Sequence, residues 1–245
     1  ECGIDARAID HCELRTMTRM RTPSLPSSSP ADKVADKPGD RMVLDGWPMT
    51  HAPQVGSGNT YLMLNADDAT GLGIISSTKL HRAPEWILFI QRSQAAQKMI
   101  NRDVELLAVR TDNAGEFRNV EGFADALVKT TGAVHETTPS RHHHAVGKAS
   151  AMQLELARIG NHMMQRTSRN IGFLIYALIE ANAVRNLRPV RNNKPRIEQF
   201  SLGKTRADVS MQRVWGCDAY ALVEKEARHH LAPGTVSVKG VLVAR

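Results

Sequence analysis

The chain has 245 residues, a formal net charge of +7, 42% apolar residues and only 4% aromatic ones. That length and apolar content allow one sizeable core built on Leu, Val, Ile, Ala and Met, and the longest apolar runs, residues 86–90 and 173–179, are far too short to span a bilayer, so no membrane partner is expected. Cys2, Cys12 and Cys217 are too dispersed for a disulfide framework, which points to a reducing compartment, and the basic balance fits either a nucleic-acid partner or a solvated basic surface.

Residues 1–40 are polar and irregular, and residues 23–40, rich in Pro, Ser and Asp, read as a linker. Order is expected from Met42. Residues 42–44 predict a short strand ending in Asp45, residues 60–64 a second and 73–77 a third, with turns at Gly56, Gly58 and Asn59 and at residues 69–71. Residues 83–101 carry Trp86, Ile87, Ile90, Ala95 and Met99 at near-helical spacing. A fourth strand follows at 104–109. Val120, Phe123, Ala124, Leu127 and Val128 then share a helical face that Gly132 terminates, and Ala133 and Val134 open a fifth strand.

Residues 148–166 and 171–186 predict two long helices, the first with a stripe of Met152, Leu156, Ile159 and Met163. Three hairpin strands followed by strand–helix alternation predict an α/β fold: a ribonuclease H-like, mixed five-stranded sheet with helices on both faces, over residues 41–187. Residues 188–245 read as a basic, Pro-containing connection followed by a small C-terminal β extension, with strands within 209–223 and 236–243.

Several segments resemble, in order, the integrase region of Ty1/copia-type retrotransposon polyproteins. LDGWPM (44–49) is similar to the T-D-x-x-G-P-M segment, one residue shorter, and YLMLNADDATGLG (61–73) to Y-F-x-x-F-I-D-D-Y-S-R. RTDNAGEF (110–117) resembles R-S-D-N-G-G-E-F/Y, and LELARI (154–159) resembles L-L-E-M-A-R. The stretch MQRVWGCDAYALVEKEARHHLAP (211–233) resembles the L-R-V-F-G-C-x-A-Y-V segment that follows the catalytic core. A lone D-N-x-G-E is weak, whereas five ordered matches are specific.

The resemblance implies DNA integration by two-metal phosphoryl transfer, with three carboxylates holding two Mg²⁺ or Mn²⁺ ions about 3.5–4 Å apart. Asp45 matches the first ligand and Asp112 the second, both also readable as turn or N-cap aspartates. The third position, thirty-six residues beyond Asp112, is Lys148. Glu155 matches the family's second Glu and lies about 10 Å along the helix from Lys148, too far to close the same site. An ammonium at this corner is expected to approach the two carboxylates and replace the metal by a salt bridge, leaving catalysis lost or impaired.

The family's N-terminal zinc module ends in C-x-x-C. Here Cys12 matches the first cysteine, Arg15 stands at the second, and His11 and Cys2 restore no ligand set, so no zinc is expected. His142, His143 and His144 fit an exposed loop better than a metal site, because adjacent side chains diverge. Basic residues gather after the site: Arg158, Arg166, Arg169, Arg185, Arg188, Arg191, Lys194 and Arg196, alongside Lys148. They suit backbone-directed, non-specific DNA binding or a solvated face, since few aromatics exist for base stacking. The resemblance further implies a homo-oligomer and a nuclear or cytoplasmic location. Three readings stay open: an impaired integrase, a non-catalytic nucleic-acid-binding module, and a decaying element fragment.

Overall fold

A computed structural model describes residues 35, 37–112, 117, 122–137, 147–167, 169–190, 193–209 and 215–216, together with the backbone of 218–222 and 237–241. The zinc-module residues Cys2, His11, Cys12 and Arg15, the three histidines 142–144, and Arg191 lie outside the described residues.

β1 (Arg41–Pro48), β2 (Tyr61–Asp67) and β3 (Gly73–Thr78) form an antiparallel meander. Helix α1 (Ala83–Ile100) leads to β4 (Ala108–Thr111), α2 (Phe123–Thr131) to β5 (Val134–Thr137), and α3 (Gly147–Thr167) with α4 (Leu174–Leu187) completes the core. The sheet order is β3-β2-β1-β4-β5, with β4 parallel to both β1 and β5. The α/β, mixed five-stranded expectation therefore holds, and the order of elements is the one expected from the sequence.

Strand alternation sorts the core into two layers. Met42, Leu44, Tyr61, Met63 and Val109 turn to one face and meet Trp86, Phe89 and Ile90 of α1 and Phe123 and Leu127 of α2. Leu62, Leu64 and Ala66 turn to the other and meet Met152 and Leu156 of α3 and Ile175 and Leu178 of α4. Val43 packs on Ala149 of α3. Covering both faces is what buries all seven residues of β2. Gly73 lets α3 and α4 approach β3, because a Cβ there would collide with Asn182 Oδ1 and sit 2.6 Å from Met152 Cε.

Helix ends follow local chemistry. Pro occupies the first turn of α1, where its missing N–H costs nothing. α2 ends at Gly132, in the left-handed conformation at φ 76° with its N–H bonded to Val128 O, as the sequence predicts.

Three local expectations are corrected. Asp45 lies in the middle of an eight-residue β1 and not at a strand end. Met99 and Val128, placed on apolar helix faces, are 87% and 51% exposed, because α1 and α2 bury the residues one step round the helix. The connection after residue 187 also contains a short helix, α5 (Arg196–Phe200), whose Phe200 is wholly buried against Leu72 and Val104. Beyond it, β6 (Asp218–Leu222) and β7 (Ser237–Val241) form a separate antiparallel pair.

Candidate active site

β1 and β4 pair with Arg41, Met42 and Val43 opposite Ala108, Val109 and Arg110. The same offset carried two residues further sets Asp45 opposite Asp112, on strands about 4.8 Å apart. Val43 touches Ala149, and Trp47 packs against the α3–α4 layer, so alternation gives Asp45 that face too. Arg110, opposite Val43, shares it, and alternation extends the same face to Asp112. Both acids are half-buried. Asp45 Oδ1 also accepts the Gly46 N–H at 2.8 Å.

Lys148 lies in the first turn of α3, on the same side of the sheet. Its ammonium does not sit between Asp45 and Asp112 as expected. It pairs with Asp68 Oδ1 at 3.4 Å. Asp68 follows β2, and its N–H bonds to Arg41 O, which fixes it at the start of β1. A strand rise of about 3.3 Å per residue puts Asp45 roughly 13 Å further along.

Asp68 is the hub of a charged row that the sequence reading missed. It accepts Arg41 Nη1 at 3.1 Å and the Ala35 N–H at 2.9 Å. Arg41 and Arg110 converge on Glu136 of β5, at 3.1 and 2.9 Å. Burial works to raise the Asp68 carboxyl, but the Ala35 amide, Lys148 and Arg41 outweigh it and hold it below the ordinary carboxylate value. Next door, burial raises the Asp67 carboxyl despite hydrogen bonds from Thr70 and Gly39. The signal for this row was the hairpin register: with Met42 opposite Asp67, the next acid must lie beside Arg41.

Glu155 is engaged elsewhere, accepting Arg185 Nε at 2.8 Å and Arg196 Nη2 at 3.0 Å. Arg158 and Arg166 on α3, Arg188 after α4 and Lys194 in the following connection are exposed. Arg169 instead reaches Gly216 O at 3.3 Å.

A two-metal centre needs three acids converging on one spot. Asp45 and Asp112 supply two, and a cation stands at the third chain position. Among the described residues no group of three His, Cys, Asp or Glu side chains could hold a metal ion. The residues described here do not make up the donor set of that centre.

No protein-family profile and no curated protein matches the sequence. Solved structures do match in fold. A chain of the simian T-cell lymphotropic virus intasome, in complex with PP2A regulatory subunit B56 gamma, aligns at TM-score 0.57 and 14% identity over 85% of this chain and 69% of that one. The HTLV-2 integrase catalytic core domain in complex with magnesium aligns in its dimeric form at TM-score 0.51 and 15% identity. Its trimeric form aligns at TM-score 0.51 and 16% identity. Both alignments cover 67% of this chain and 97% of the core domain. The chain thus has the fold of retroviral integrase catalytic cores, and no described helix is long and apolar enough to cross a membrane.

Proposed function

We propose that this protein is a Ty1/copia-type integrase derivative that binds DNA through its backbone, with metal-dependent strand transfer lost or impaired at Lys148. The reading is supported by the parallel β1–β4 register, which, extended two residues beyond the Val43–Arg110 pair, would bring Asp45 level with Asp112, and by the lysine at the third chain position. Where three carboxylates would supply six oxygens to two divalent ions, two carboxylates leave the charge of the second ion uncompensated. If a metal bound, Asp45 and Asp112 would hold it. The row from Arg110 through Glu136, Arg41 and Asp68 to Lys148 fixes the strand ends beneath that pair.

DNA binding is supported by the +7 charge and by the exposed Arg158, Arg166, Arg188 and Lys194, which suit phosphates better than bases. The fold neighbours, an intasome and a magnesium-bound integrase core in dimeric and trimeric forms, support a homo-oligomer as the assembly to test.

The reading is tested with a blunt duplex in two assays. Fluorescence anisotropy in EDTA and in Mg²⁺ should give equal, salt-sensitive affinities; an absolute Mg²⁺ requirement contradicts the proposal. Strand transfer should be absent in the wild type and gained in Lys148→Glu. Robust wild-type transfer would show that Lys148 is no lesion. Calorimetry with Mn²⁺ on wild type and Asp112→Asn tests the acid pair, since any heat it produces must fall in the variant.

A further inference from the structure

The turn between β2 and β3 and the helices α3, α4 and α5 enclose an open cleft of about 510 Å³. Its walls include Gly71, Lys148, Glu155, Arg185, Arg196 and Gln199, so among the described residues two guanidiniums share one carboxylate, with Lys148, paired to Asp68, beside them.

Arg185 is 4% exposed and is held in place by Glu155 through Nε and by Gly71 O through Nη1, at 2.8 and 2.7 Å. Arg196 is held by Glu155 through Nη2 at 3.0 Å and by Arg185 O through Nη1 at 2.8 Å. Each guanidinium keeps one nitrogen in reserve. Arg185 Nη2 and Arg196 Nε have no acceptor among the described residues.

The two spare donors lie close together beside Gly71. The position of the Cβ that Gly71 lacks is 3.8 Å from Arg185 Nη2 and 3.6 Å from Arg196 Nε. Gly71 holds φ +71°, a conformation that favours glycine, so no side chain comes between the two donors and the cleft. One carboxylate cannot neutralise both guanidiniums. Burial, then the neighbouring Arg196, pushes Arg185 down to about 10 against the pull of Glu155. The exposed Arg188 adds to the positive field around Arg196.

We propose that this cleft binds a phosphate group, the phosphodiester of a DNA backbone, with Arg185 Nη2 and Arg196 Nε as donors. An oxyanion between two fixed N–H donors forms charge-assisted hydrogen bonds without reorganising the Glu155 network. The inference rests on the DNA-binding reading, and it gives that reading a specific anchoring point.

Two variants test it. Gln199→Glu adds a carboxylate to the cleft wall without touching the Arg–Glu network. Glu155→Gln removes the cleft's own carboxylate while keeping an acceptor for the two arginines. Inorganic phosphate binding is measured by calorimetry and duplex binding by anisotropy between 50 and 200 mM salt. Gln199→Glu should weaken both and reduce the log–log salt slope by about one unit. Glu155→Gln should tighten phosphate binding several-fold, the opposite sign to damage to the fold. Unchanged phosphate and duplex binding in both variants overturns the proposal. A phosphate response with no duplex response assigns the cleft to free phosphate and overturns the backbone assignment. A wild type that binds no duplex at any salt removes the DNA-binding reading, while the phosphate titration still judges the cleft.

Discussion

Lys148 Nζ lies 3.4 Å from Asp68 Oδ1, tying the first turn of α3 to the end of β2. The Lys148 side chain is 35% exposed, and Asp68 keeps Arg41 and the Ala35 N–H if the ammonium is lost. Lys148→Met should therefore cost only about 0.5–1 kcal/mol of unfolding free energy. Lys148→Glu brings a second carboxylate to a buried one and should cost about 1–2 kcal/mol. Urea denaturation of the three proteins at pH 7 checks the order. The strand-transfer test above must use protein shown to be folded for this reason.

The same carboxylate predicts part of the acid sensitivity. Asp68 is held below its ordinary value of 3.8 in the folded state, so it stabilises the fold above that pH, and the contribution is lost as pH falls through the lower folded value. Asp67, raised by burial, has the opposite sign and is best tolerated when protonated. Asp68→Asn should be less stable than wild type at pH 6, and the gap should close progressively below pH 4. Urea midpoints from pH 6 to pH 2.5 measure it; a gap independent of pH would mean that the Asp68 charge contributes nothing.

The sheet and its helices were legible because their signals are local: the short apolar run of β2, the Gly132 stop, the stripe of Met152 and Leu156 on α3. The middle of β1 was not. Gly46 and Pro48 look like strand breakers, yet Gly46 is in the ladder because a side chain there would collide with the Tyr61 hydroxyl, and Pro48 takes the strand's end. Helix α5 was missed because five residues show no periodicity, although Phe200 anchors it. The chain positions of Asp45, Asp112 and Lys148 could be read from motif order. The partner of Lys148 could not, since it depends on where β2 ends relative to the tilt of α3.

Among the described residues Glu155 is the only carboxylate on two guanidiniums, one of them 5% exposed. Glu155→Ala strands both charges and should cost about 2–4 kcal/mol. Glu155→Gln keeps an oxygen acceptor for Arg185 Nε and should cost about half as much. Thermal unfolding of the pair separates the two cases: equal losses would show that the arginines find water instead and that the network adds little.

Behind Asp112, Thr111 Oγ1 donates to Asp112 O at 2.9 Å and contacts His135 Nε2 at 2.9 Å. With the hydroxyl proton committed to the carbonyl, Nε2 must carry the imidazole proton and donate to Thr111. The ring also packs edge-on against Phe123, with centroids 5.0 Å apart. Burial lowers the His135 pKa from its ordinary 6.5, so the unfolded chain binds the proton more readily than the folded one. Stability should fall as pH drops from about 6.5 through the lower folded value, with the full penalty present below it. His135→Gln keeps a donor for Thr111 but has no such titration. Wild type should exceed the variant at pH 8 and lose that lead toward pH 5 in paired urea titrations. A constant lead would show that the ring accommodates its charge and leaves the hydrogen bonds behind Asp112 undisturbed.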